Sequence, residues 1–257
     1  MKDKEVKNES EDKDKIGFLV KTLSLPKSQI VKLLGNGDIK YTLDNNNNIT
    51  ELTIISAIYI NGKGLDGRLF NNINLPTTKL QELRVFSFSY DYDWNHVDGW
   101  WKSDFKDLQE NIGELKNLEV LKLSGNSITT LPESIGDLKN LKKLYLDCNH
   151  IEILPITITK LINLEKLTLS DNPLSNLPTG MINLTNLKSL TIGKEQIISF
   201  AKFGTNLANL EELIIYPIFP HRTLGLKEIK NYDHLPDSIQ DCFKELMSRG
   251  CRIKLYG

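Results

Sequence analysis

From Leu118 onward two periods are superposed on the chain. Within a short segment apolar and polar positions alternate, and the segment returns every 23 residues: Leu118, Leu141, Leu164, Leu187 and Leu210 are each preceded by asparagine, at Asn117, Asn140, Asn163, Asn186 and Asn209. Alternation of period two predicts a short strand with one face turned inward. Self-similarity at a fixed period of this length predicts stacked turns of a solenoid, each burying its apolar edge against the next.

Each unit opens on L-x-x-L-x-L-x-x-N, as LEVLKLSGN from Leu118, LKKLYLDCN from Leu141 and LEKLTLSDN from Leu164. Two further units, LKSLTIGKE and LEELIIYPI, keep the strand pattern and lose the last asparagine. Asn126, Asn149 and Asn172 stand where the chain must leave the strand. Their amides can satisfy backbone groups that a buried turn would orphan, so stacked copies predict an asparagine ladder. The return halves read LPESIGDLKN, LPITITKLIN and LPTGMINLTN. Pro132, Pro155 and Pro178 deny them a regular helix start before Ile135/Leu138 and Ile158/Leu161 re-enter the core.

Upstream, ITELTI from Ile49 and LQELRV from Leu80 fit the strand template at irregular spacing. Downstream, LPDSIQDCFKELMSRG followed by Arg252 to Leu255 predicts an amphipathic helix and a last strand. The expected organisation is a charged, disordered tail over 1–15, an N-terminal cap region over 16–48, a solenoid over 49–234 with an insertion at 87–111, and a C-terminal cap over 235–257.

With these motifs the sequence resembles the leucine-rich-repeat family in its 23-residue form, over roughly residues 40 to 257. The resemblance implies an α/β repeat solenoid: a right-handed horseshoe with a parallel concave β-sheet and an irregular or short-helical convex side. It also implies a scaffold that binds another protein, with small GTPases, kinases and phosphatases as the partner classes such repeats often engage.

Positions between the inward leucines map onto the concave sheet. They nominate Arg84 and Phe86, then Lys122, Lys143, Tyr145, Asp147, Lys166, Thr168, Ser170 and Tyr216 as partner-contacting residues. Lys122, Lys143 and Lys166 read as a basic stripe with Tyr145 amid it, a mixture suited to anchoring and steering a partner. The insertion gathers all three tryptophans: Tyr92, Trp94, Trp100 and Trp101 form a second candidate patch, for a carbohydrate or lipid, or else they pack over the convex side. Asp91, Asp93 and Asn95 imitate half a calcium loop, but His96 and Lys102 occupy positions that need Gly and Glu.

Composition narrows the remaining choices. Lysine plus arginine number 32 against 33 acids, a net charge of −1, which gives no global pull toward nucleic acid or anionic membrane. No phosphate-loop, dinucleotide, zinc-protease or nucleophile-elbow motif occurs, so neither an enzyme nor a cofactor is expected. Cys242, on the apolar side of the predicted amphipathic helix, reads as packing rather than as a nucleophile. Three unpaired cysteines and an N-terminus without an apolar signal core lead to the expectation of a cytoplasmic monomer.

Overall fold

The computed structural model describes residues 39–46, 48–55, 59–60, 63–64, 80–89, 105–217, 228–229 and 231–256. The expected tail over 1–15, most of the expected N-terminal cap, and Tyr92, Trp94, Trp100 and Trp101 lie outside these residues.

The strands are β1 (Ile39–Leu43), β2 (Ile49–Ile55), β3 (Tyr59–Ile60), β4 (Lys63–Gly64), β5 (Val85–Ser89), β6 (Val120–Lys122), β7 (Lys143–Tyr145), β8 (Lys166–Thr168), β9 (Ser189–Gly193), β10 (Glu212–Tyr216), β11 (Glu228–Ile229) and β12 (Arg252–Tyr256). One sheet runs in the order β1-β2-β5-β6-β7-β8-β9-β10-β12-β11, while β3 and β4 pair separately. Consecutive strands from β2 to β12 are parallel, and antiparallel β1 and β11 close the two edges.

Return segments between successive strands form 3-10 turns at Glu133–Asp137, Ile156–Lys160 and Thr179–Asn183, each entered through its proline in extended conformation. The tighter helix needs only one turn to return the chain, and proline alone does not impose it, since Pro236 stands at the same place before the twelve-residue helix Asp237–Ser248. Gly136 lets adjacent turns touch: a Cβ there would lie 2.4 Å from the carbonyl oxygen of Thr157. One unit later a short helix, α1 (Ile197–Ala201), precedes the corresponding 3-10 turn, Gly204–Asn206, and α2 (Asp237–Ser248) buries Ile239, Cys242, Phe243 and Leu246.

The core is one continuous column. Leu118, Leu121, Leu123, Leu141, Leu144, Leu146, Leu164, Leu167 and Leu169 are fully buried, joined from the return side by Ile135, Leu138, Ile158 and Leu161. Each such side chain contributes about 1.5–3 kcal/mol over leaving it in water, the main term holding the column together.

Register corrects the reading of the second strand. Phe86 pairs with Leu121, not with a polar position, and is 2% exposed, so this nominated contact residue is core. The unit is Leu83-x-x-Phe86-x-Phe88, three residues later than the Leu80 start that also fits the template. Ser87 and Phe88, placed in the insertion by the pattern, are strand residues, and Phe105 packs on Phe88 with ring centres 4.4 Å apart.

Candidate functional site

Register arranges the polar side chains of the sheet into rows that cross the strands. The first row follows the opening leucines: Arg84, Glu119, Lys142, Glu165, Lys188 and Glu211, each backbone N–H donating to the carbonyl of the residue before it in the row. The sign of the charge alternates at every step. Glu119 accepts from the Arg84 guanidinium and, at 2.7 Å, from Lys142 Nζ, and Lys188 Nζ lies 3.1 Å from Glu165. These cations hold the Glu119 carboxyl below its ordinary range, Lys142 first and Arg84 second. Arg84 therefore stands in this self-paired row, not beside Lys122 as the shifted reading placed it.

The second row runs Val120, Lys143, Lys166, Ser189, Glu212, Arg252 and the third Ser87, Lys122, Tyr145, Thr168, Thr191, Ile214, Lys254. Lys143 and Lys166 are directly opposed on neighbouring strands, whereas Lys122 pairs with Tyr145 and sits one row over. The three lysines thus form a triangle, and the stripe of the sequence reading is corrected to that extent. Lys122 and Lys143 are exposed, Lys166 is half-buried, and its ammonium lies 5.7 Å from the centre of the Tyr145 ring. Further along, Glu212 is taken by Lys254 at 3.0 Å and Arg252 at 3.8 Å, with its carboxyl lowered chiefly by the Lys254 bond.

Asp147 behaves differently from the role its position suggested. Its carboxylate accepts from the hydroxyl of Thr168, from Ser124 Oγ at 3.4 Å, and from the N–H and Oγ of Ser170 at 3.0 and 2.6 Å. Burial pushes its pKa up, against the pull of the hydroxyl bonds. Asp147 with Ser124, Thr168 and Ser170 forms an internal clip across three units, and Thr168 is only 6% exposed. Tyr216 stacks on Tyr256 with ring centres 5.0 Å apart and planes 9° from parallel, so the aromatic end of the face is a pair that sequence reading saw only half of.

Two amide ladders make this face rigid. Buried Asn149 donates to the carbonyls of Leu123 and Leu146, both at 2.9 Å, and accepts from the Ile128 N–H at 3.1 Å; Asn172 repeats the pattern one unit on. Where the next asparagine is missing, buried Gln196 donates to the Leu174 carbonyl and accepts from the Gly193 N–H. Its displaced position gave no sign of this in the sequence. The asparagines before each opening leucine form the second ladder: Asn140, Asn163, Asn186 and Asn209 each donate to a carbonyl 24 residues earlier.

Among the described residues no group of His, Cys, Asp and Glu could hold a metal ion, and no helix is long and apolar enough to cross a membrane. Burial pushes the free thiols of Cys242 and Cys251 up to about 11, away from the reactive thiolate form.

A parallel sheet of stacked turns locked by amides, with an open polar face, defines a solenoid of the repeat-scaffold class. The model of the "Leucine-rich repeat region" family matches residues 71–219, and the chain belongs to that family. A search of curated proteins gave no match. Similar solved structures include an internalin from Listeria monocytogenes, at 23% identity and a TM-score of 0.43 over 58% of this chain and 40% of that one. A leucine-rich-repeat protein of Leptospira interrogans matches at 22% identity and 0.42, over 72% of this chain and 51% of the other. The chain thus spans about half the length of these proteins, or less.

Proposed function

We propose that the chain is a non-catalytic interaction scaffold that holds a partner protein on its concave sheet, around Lys122, Lys143, Tyr145 and Lys166. The observation that carries this reading is the triangle of lysines beside an aromatic ring on a face fixed by two amide ladders. Because the ladders and the Asp147 clip hold the backbone, little order has to be created on binding, and a preorganised surface converts more of its contacts into affinity. The family resemblance points to a signalling protein, such as a small GTPase, kinase or phosphatase, as the partner class. Free thiols at Cys242 and Cys251 support a reducing, cytoplasmic setting.

The test is site-specific photo-crosslinking. A photoreactive side chain at Lys122 on the sheet, or at Ile156, 62% exposed on the return side, is activated in native lysate. Products are identified by mass spectrometry and binding is rebuilt with the purified partner. A defined protein captured from Lys122 and not from Ile156 is expected; equal capture from both, or none from Lys122, overturns the reading.

A further inference from the structure

We propose that the concave site is built for an acidic protein segment whose carboxylates lie among Lys122, Lys143 and Lys166; this rests on the concave-face reading above. The argument is a contrast between two adjacent rows of one sheet. In the first row every neighbour has the opposite sign, from Arg84 to Glu211. One residue further along the same strands, Lys143 and Lys166 face each other in register and Lys122 stands diagonally beside them. Like charges directly opposite on neighbouring strands destabilise a sheet, so the second row carries an electrostatic cost that the first has been relieved of.

Lys166 gains the Tyr145 ring and a longer-range attraction to Glu212, but neither is an ion pair. Among the described residues no carboxylate forms an ion pair with Lys122, Lys143 or Lys166. The acids on the face are already committed: Glu212 to Lys254 and Arg252, Asp147 to the hydroxyls of Thr168, Ser124 and Ser170. Lysines often protect exposed sheet edges from pairing. Here they stand on β6, β7 and β8, each hydrogen-bonded on both sides, so there is no edge to protect.

Geometry selects an extended acidic segment. Lys122 and Lys166 are two strands apart, about 10 Å at the usual strand spacing. Carboxylates two or three residues apart on an extended chain span roughly 7 to 10 Å, so such a segment crossing the strands can reach all three ammonium groups. Tyr145, under the Lys166 ammonium, holds that cation in place before the ligand arrives.

The experiment uses a fluorescent peptide of repeating Asp-Glu-Gly, its Asn-Gln-Gly counterpart, and an oligodeoxynucleotide of equal charge, each titrated into the whole chain by anisotropy. The acidic peptide is expected to bind, more weakly as salt rises, and the neutral peptide to bind at least tenfold more weakly. K143Q/K166Q should lose about tenfold or more for the acidic peptide, while the control K142Q/K188Q, altered in the self-paired row, should keep its affinity. Melting curves are read first: K143Q alone, which leaves Lys166 at the Tyr145 ring, is expected to melt no lower than the wild type, because a repulsion has been removed. A lower midpoint would show that the opposed pair supports the sheet, and would overturn the proposal. So would equal binding of the neutral peptide, equal loss in the control, or tighter binding of the oligonucleotide. If Lys122 cross-links a partner while the acidic peptide fails to bind, the scaffold reading stands and this inference alone falls.

Discussion

Lys166 holds its ammonium 5.7 Å from the centre of the Tyr145 ring while facing Lys143 across the strand pair β7 and β8. One contact stabilises the cation and the other repels it. Replacing Lys143 with Glu turns the repulsion into a pair and should stabilise the free protein by about 0.2–1 kcal/mol. Urea unfolding of K143E against wild type, at low and high salt, measures this. A gain that shrinks with salt is expected; a loss of stability would mean that the two lysines do not repel in the folded state.

The buried amide ladder makes a larger demand. Asn149→Ala removes two donor bonds to the carbonyls of Leu123 and Leu146 and the acceptor for Ile128 N–H in one step. Each group left without a partner costs about 1–3 kcal/mol, so a total of about 3 kcal/mol or more is expected. The exposed equivalent, Asn163→Ala, loses one bond at the surface and should cost about 1 kcal/mol. Chemical denaturation of both variants tests the ranking, which fails if the two lose similar amounts.

Cys148 adopts φ of 56° at the corner before its ladder asparagine, where the preceding unit has Gly125 at 74° and the following one Asp171 at 57°. A side chain in the left-handed region carries a steric cost that glycine lacks. Cys148→Gly should therefore raise stability by about 1 kcal/mol, less the weak thiol contact to Asp171 at 3.6 Å. A drop in melting temperature would show that the thiol contact outweighs the strain.

Asp147 sets a pH dependence of defined sign. Burial raises its folded-state pKa above the ordinary 3.8, so the folded protein holds the proton more tightly than the unfolded chain. The associated stability is fully present below pH 3.8 and is lost as pH rises through the raised folded value. Asp147→Asn removes this term. The melting temperature of the variant relative to wild type should climb as pH rises from the ordinary carboxylate value, and a constant difference would show that Asp147 titrates normally.

Adjacent return turns touch at Gly136, where a methyl group would meet the Thr157 carbonyl oxygen at 2.4 Å. Because that atom is backbone, the turn itself must shift, and Gly136→Ala is expected to cost about 1–3 kcal/mol. Thermal unfolding checks the value, and an unchanged midpoint would mean that the stack yields freely.

The sequence by itself determined the repeat, its period, which leucines face inward, and where asparagine closes each corner. Those features follow from local alternation and from the need to satisfy buried amides, so each unit carries its own instructions. What only the tertiary structure decided is which polar positions become neighbours. Leu80 and Leu83 both open a valid template and both are buried, yet hydrogen bonds to β2 and β6 select Leu83 and send Phe86 into the core. The same cross-strand register separates Lys122 from the Lys143/Lys166 row, encloses Asp147 among hydroxyls from two other units, and brings Gln196 into the place of a missing asparagine. Row membership depends on pairing between segments 23 to 35 residues apart, and a strand pattern of period two contains no information about which of its turns meets which.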